Sequence, residues 1–267
     1  MDERKRQMTQ WYDRIAPTYD CHRLPLSARL AGALVRQAAI SEGEWVIDIG
    51  TGTGNVAFAA ARCVGPRGHV VGIDLSRAML TEARRRAGDL PVEFQEMDSE
   101  GLQFGEATFD AALAGLLPDI APAMGEMYRV LRSGGRAAFS TYTGETLQPL
   151  ADLTWSRLER YRIRCVPAPP ESWMASSESE QLLRLLKRAG FQEARVVPEP
   201  HTHILQSAED WWAYMQRSTR WGGLLVQLPE ETINDLKAEI LADVERLRDG
   251  RGIHVDTSAL IGIGVRR

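Results

Sequence analysis

Hydrophobic residues along this chain follow two alternating rhythms. Short runs rich in β-branched residues, such as WVIDI at 45–49 and HVVGI at 69–73, alternate with longer stretches whose apolar positions recur every three or four residues. The runs predict strands at 45–49, 69–73, 92–96, 109–114 and 135–141, with helices at 54–63, 76–87 and 120–131 between them. Such alternation argues for a parallel sheet with helices on both faces. Gly134-Gly135 reads as a left-handed C-cap that stops the helix before it. Ahead of this core, Trp11, Tyr12, Ile15 and Tyr19 fall at helical spacing within 4–19, a helix broken near Pro17, and a second helix covers 27–39.

After residue 143 the rhythm changes. Residues 146–163 read as helical, 164–178 as a Pro-rich loop, 179–189 as a helix and 193–205 as extended. A helix carrying WWAYM, another over 229–248 and a last strand at 259–265 complete the chain. The expected fold is α/β, a doubly wound, mostly parallel seven-stranded sheet with helical insertions. Residues 1–143 would form lid helices and a cofactor-binding core, and 144–267 substrate-side helices plus the last strands of the same sheet, in one domain.

Composition narrows the partners. A chain of 267 residues can bury a full core unaided, and 44% apolar with 25% charged residues is ordinary for a globular protein. A net charge of −4 gives no global attraction to nucleic acid, and none is expected as a partner. Arg84-Arg85-Arg86 reads as a solvated helix face and 157–164 (RLERYRIR) as an amphipathic helix. No apolar run is long enough to cross a membrane, and MDERKRQMTQ lacks the apolar stretch of a secretory signal. Cys21, Cys63 and Cys165 lie far apart and are odd in number, which points to a reducing cytoplasm and no metal site. A homodimer is among the assemblies the sequence allows.

The chemistry concentrates at 45–54. An apolar strand ends on Asp48 and runs into a glycine-dense turn, and the next strand ends on a second acid, Asp74. A doubly wound sheet grips an adenosine-bearing cofactor in this way, with glycines where a side chain would block backbone approach or where φ must be positive. GTGNVA at 52–57 satisfies the loose dinucleotide pattern, but a nicotinamide cofactor would leave Asp48 unexplained.

Val46, Ile47, Asp48, Ile49, Gly50, Thr51, Gly52, Thr53 and Gly54 match, position by position, the first motif of the class I S-adenosylmethionine-dependent methyltransferases. MDSEGLQF, FDAALAG and EMYRVLRSGGRAAFS resemble the later motifs in order, so the resemblance covers roughly 45–141. The lead segment WYDRIAPTYD is similar to that of ubiquinone- and menaquinone-biosynthesis methyltransferases and their small-molecule relatives. The resemblance implies S-adenosyl-L-methionine as methyl donor, with S-adenosyl-L-homocysteine as product. Asp48 and Gly50, Thr51, Gly52 and Gly54 would hold the amino-acid tail, Asp74 the ribose, and Leu75, Met79, Asp98 and Ser99 the adenine. Ala114 to Leu116 would lie beside the sulfonium, and Tyr12 and Tyr19 would belong to the lid.

Methyl transfer from a sulfonium is an in-line substitution, so alignment and exclusion of water are the main tasks, and a base is needed only for a weakly acidic acceptor. Candidates for proton handling are Tyr19, His22 and Asp119. The segment from Phe109 to Arg129 is shorter than in many relatives and has GLLPDI where they carry a histidine-containing stretch, which weakens transfer of the quinone substrate. Tyr142, Trp173, His203, Trp211 and Trp212 are candidates for the pocket of a small, aromatic or lipophilic acceptor methylated at oxygen, carbon or nitrogen. Two alternatives stay open at this point: a protein that binds the cofactor without methylating, and a nicotinamide oxidoreductase.

Overall fold

The computed structural model describes residues 3–20, 26–163, 178–218 and 221–267. Strands β1 (Trp45–Ile49), β2 (His69–Asp74), β3 (Val92–Glu96), β4 (Phe109–Gly115), β5 (Leu131–Tyr142), β6 (Gln192–Glu199) and β9 (Ala259–Val265) make one seven-stranded sheet in the order β3-β2-β1-β4-β5-β9-β6. Neighbours from β3 to β5 are parallel, and β9 runs antiparallel to both β5 and β6. The expected seven-stranded, mostly parallel sheet is therefore the observed one.

β1 is buried from Val46 to Ile49 without alternation, because a central parallel strand is covered on both faces. Its side chains still divide between two cores. Val46 packs with Leu34 of α2 (Leu26–Gln37) and Phe58 of α3 (Asn55–Val64), whereas Ile47 and Ile49 pack with Met127 of α5 (Met124–Val130) and Leu186 of α7 (Ser179–Arg188). Asp48 points toward the α3 side, among apolar neighbours.

The lead helix α1 (Glu3–Ile15) gives way to a 3-10 turn at Ala16–Thr18, where Pro17 lacks the N–H a longer helix would use. It packs with α4 (Arg77–Ala87) through Ile15, Ala16 and Met79. A third core joins α6 (Leu150–Arg160), α8 (Ala208–Arg217), α9 (Gly222–Leu225), α10 (Glu230–Glu245) and the small antiparallel pair of β7 (Thr202–Leu205) and β8 (Ile253–Asp256).

Three expectations are corrected. The glycine pair is not a helix cap: α5 ends at Val130, Leu131 already pairs with Phe109, and Gly134-Gly135 sits in a bulge of β5 where the register shifts. There Gly134 has φ +81°, and its N–H donates to Arg266 O at 2.7 Å. The extended stretch 193–205 is two strands in different sheets, broken at Pro200. β8 has no counterpart among the predicted strands. The Pro-rich stretch 164–177 lies outside the described residues.

Candidate active site

β1 and β2 are in register, so Asp48 and Asp74 both arrive at the carboxyl edge of the sheet. Gly50 and Gly52 turn the chain there with φ of +66° and +54°. The N–H of Thr51 donates to Ile73 O at 2.8 Å and that of Gly52 to Asp74 Oδ2 at 2.9 Å, so the turn is strapped across the end of β2. A Cβ on Gly50 would meet Leu117 Cδ1 at 2.5 Å, a side-chain tip that can turn aside, so it is the positive φ that favours glycine there.

Asp48 is 0% exposed. Its Oδ2 accepts from Thr51 Oγ1 at 2.6 Å and from Ala57 N–H at 3.0 Å, while Oδ1 has no hydrogen-bond partner among the described residues. Burial pushes this carboxyl up to about 7 against the pull of those two bonds, and the charge of Asp74 adds to the rise. A buried acceptor left without a donor costs about 1–3 kcal/mol, so a cationic donor reaching Oδ1 is favoured there. Asp74 is half-buried and differently placed: Oδ1 accepts from Ser76 N–H at 2.8 Å and Oδ2 from the turn. Burial raises it too, opposed by these backbone donors.

α1 lies across this edge. Lys5, Met8, Thr9 and Tyr12 share one helical face and line a cleft opposite Asp74, Leu75, Met79 and Asp98. Lys5 Nζ donates to both Asp98 oxygens, at 3.0 and 2.8 Å, and lies 2.9 Å from Glu100 Oε1. Burial works to raise the Asp98 carboxyl, but the Lys5 bonds and the Glu100 N–H outweigh it and hold it below its usual value. Asp13 accepts from Ser76 Oγ at 2.6 Å, the same hydroxyl that caps α4 by accepting from Met79 N–H at 3.1 Å. The rings of Tyr12 and Tyr19 meet edge to face, 6.2 Å apart.

The cleft under α1, open to solvent, spans about 860 Å³. A second, of about 450 Å³, opens on the other side of the glycine turn and is lined by Ser27, Leu30, Asp48, Asn55 and Ser140 among others. Tyr19, Gly50, Gly52, Gly115 and Leu116 belong to both. Leu116 has φ +54°, a conformation costing a non-glycine residue about 1–3 kcal/mol, and its N–H donates to both Ser140 O and Ser140 Oγ at 3.1 Å. The end of β4 is thus held in a strained bend at the boundary between the clefts.

A methyltransferase domain matches residues 46–135. The 2-phytyl-1,4-naphtoquinone methyltransferase of Synechococcus elongatus is 32% identical over 205 residues, which cover 69% of this chain and 88% of that protein. The chain belongs to the class I S-adenosylmethionine-dependent methyltransferases. Aklanonic acid methyltransferase DauC of Streptomyces sp. strain C5 is 30% identical over 209 residues, covering 72% of this chain and 94% of that one. In fold, the chain is similar to YcgJ of Bacillus subtilis, with TM-score 0.58 and 21% identity over 90% of this chain and 98% of that one. It is also similar to phosphoethanolamine N-methyltransferase 2 of Haemonchus contortus, with TM-score 0.51 and 18% identity over 89% and 52%.

As a class I methyltransferase the protein takes its methyl group from S-adenosylmethionine, and the nicotinamide alternative falls. Its residues fit that donor: an orphaned buried carboxylate oxygen on Asp48 suits an ammonium, and the Asp74 carboxylate at the cleft suits paired hydroxyls. Leu75, Met79, Asp98 and Ser99 line the larger cleft, Thr51 the smaller, and Tyr19 both; Asp119 lines the larger, and its Oδ1 accepts from Ala121 N–H at 3.3 Å.

Several candidates fall elsewhere. Ala114 points into the α5 core, and Gly115 reaches the cleft in its place. Gly54, with φ +92°, opens α3 and makes room for the Phe58 ring, which a Cβ would meet at 2.6 Å; it lines neither cleft. Trp211 and Trp212 are buried in the third core, because the packing of α6, α8 and α10 demands large apolar volume there. His203 sits in β7 opposite Val255, and Tyr142 ends β5 exposed; neither lines either cleft. His22 and Trp173 lie outside the described residues. The arginine run of α4 is not simply solvated, since Arg84 donates to Phe94 O at 2.7 Å; on α6, Arg157 pairs with the buried Asp243. The lid face of Lys5, Met8 and Thr9 escaped the sequence reading, although its spacing with Tyr12 is helical.

Proposed function

We propose that this methyltransferase acts on a small, flat, lipophilic acceptor of the phenol or hydroquinone type, at oxygen or carbon. The observation that carries the reading is the wall shared by the two clefts. Asp48 lies on one side of it and Asp74 and Asp98 on the other, so the acids suited to the donor's two ends flank a stretch made of Tyr19, Gly115 and Leu116. Apolar side chains and bare backbone at that point favour a flat, greasy acceptor over a charged one. The names of the relatives, a phytylated naphthoquinone and aklanonic acid methyltransferase, support the same class.

Bound S-adenosylmethionine supplies a methyl group on a cationic sulfur, ready for in-line displacement. The chain's part is alignment and dryness: Tyr12, Tyr19 and Met8 cover the cleft, and the Ser140 contacts fix Leu116 beneath it. In this reading Asp119, which lines the larger cleft, takes a proton from an acceptor hydroxyl, and Tyr19, which lines both clefts, orients the acceptor.

Label from methyl-labelled S-adenosylmethionine, offered with reduced naphthoquinones, phenolic polyketides and hydrophilic amines in parallel, tests this. Transfer to the aromatic acceptors with release of S-adenosylhomocysteine is expected. Transfer to the amines alone, or to none of the aromatics, overturns the acceptor class.

A further inference from the structure

Arg86 is the last of three consecutive arginines on α4, and both terminal nitrogens of its guanidinium are engaged. Nη1 donates to Asp20 Oδ2 at 2.5 Å and to Thr53 O at 2.9 Å, and Nη2 donates to Asn55 Oδ1 at 3.0 Å. Its carbon lies 5.4 Å from the centre of the Phe58 ring, the ring admitted by Gly54. Asn55 Nδ2 donates in turn to Asp20 Oδ1 at 3.2 Å and to Ser27 Oγ at 3.3 Å. The side chains of Arg86 and Asp20 are 31% and 30% exposed, so solvent screens the pair only in part.

These contacts tie together four segments at polar atoms, beside the apolar packing of α2 on α3 and of Tyr19 near Met79 of α4. Thr53 belongs to the glycine turn, Asn55 opens α3, Ser27 stands at the start of α2, and Asp20 directly follows the lid residue Tyr19. Neither Arg86 nor Asp20 lines a cleft, yet Tyr19, Ser27, Thr53 and Asn55 all line the smaller one. A planar fork with several fixed donors can hold a carboxylate, a carbonyl and an amide oxygen at once, which a lysine cannot.

We propose that Arg86 and Asp20 form a clasp that holds the Tyr19 end of the lid against the glycine turn and thereby sets how long the methyl donor and its product stay bound. Both are positioning residues. The inference rests on the reading that the glycine turn holds the donor's amino-acid tail.

The test compares Arg86→Ala, Arg86→Lys, Asp20→Asn and the Arg86→Ala/Asp20→Asn double variant, using S-adenosylhomocysteine as the probe in stopped-flow displacement. Each alanine or asparagine variant is expected to release it about tenfold faster, the scale of one charge-assisted contact network. The double variant should be no faster than either single, and lysine should recover only part. Hydrogen exchange gives the readout that a merely structural role would not: amides of 16–20 should lose protection by the product while those of α4 keep theirs. Wild-type release in Asp20→Asn, additive effects in the double variant, or loss of protection throughout α4 overturns the clasp. If Arg86→Ala does not fold, Asp20→Asn, at an exposed position, decides alone. Asp74→Ala separates the two readings: if it loses affinity while the clasp variants bind as wild type, the clasp fails and the cofactor site stands, whereas normal binding by Asp74→Ala means the cofactor site itself is misplaced.

Discussion

Asp48 at the glycine turn and Trp211 in the tryptophan cluster are both fully buried side chains with polar atoms, and their surroundings treat those atoms differently. At the turn, Asp48 keeps one oxygen unpartnered beside open space, and Asp74 holds its carboxylate at the cleft. In the cluster, the ring of Trp211 is stacked on Tyr214 at 5.3 Å and meets Trp221 edge-on at 5.2 Å, and its Nε1–H donates to Thr154 Oγ1 at 3.0 Å. What separates a site from a core is therefore unspent polar capacity facing a cavity, not the residue type that suggested function.

The widest separation between the two regions should come from Trp211→Ala. Removing a fully buried indole, together with the bond Thr154 accepts from it, is expected to lower unfolding free energy by about 3–5 kcal/mol in urea titration while the folded protein binds S-adenosylhomocysteine as before. A weakened ligand with little stability loss would instead place Trp211 in the site. Next in size is the pH dependence contributed by Asp48. Its folded value of about 7 exceeds its unfolded value of 3.8, so the native state holds the proton longer. The stability this gives is complete below the unfolded value and is lost as pH rises through about 7. Asp48→Asn should therefore flatten the decline of the urea midpoint between pH 5 and 8 in the ligand-free protein, an effect of about 2–4 kcal/mol across the full window. An unchanged slope would mean that Asp48 is already ionised in the native state. Smallest is Asp74→Ala, expected to weaken S-adenosylhomocysteine binding by about 10- to 100-fold in calorimetry, with less effect on stability than Trp211→Ala. If stability falls further than affinity, Asp74 is chiefly a strap for the turn.

Much of the first half was legible because parallel strands covered on both faces are continuous apolar runs, and Asp48 interrupts one of them where no fold needs an acid. The glycine pair at 134–135 misled because a local rule about helix ends competed with a ladder: Leu131 had already joined Phe109, and the glycines serve a bulge. Long-range pairings leave no local trace. Lys5 meets Asp98, and Arg86 meets Asp20, only after α1 and α4 have docked on the sheet edge. The aromatic residues after 150 were ambiguous because a large, partly polar ring suits a pocket and a core equally, and only neighbours decide between them.

The place of β9 bears on how the chain is made. The strand nearest the end of this sequence enters between β5 and β6, where Gly262 receives the Phe139 ring and Gly264 receives Phe191. Until residues 259–265 have left the ribosome, β5 presents a bare edge and β6 has no strand partner among the described residues. The nascent sheet must wait with its cofactor half assembled and one flank unpaired, the kind of state in which edge-to-edge association competes with folding.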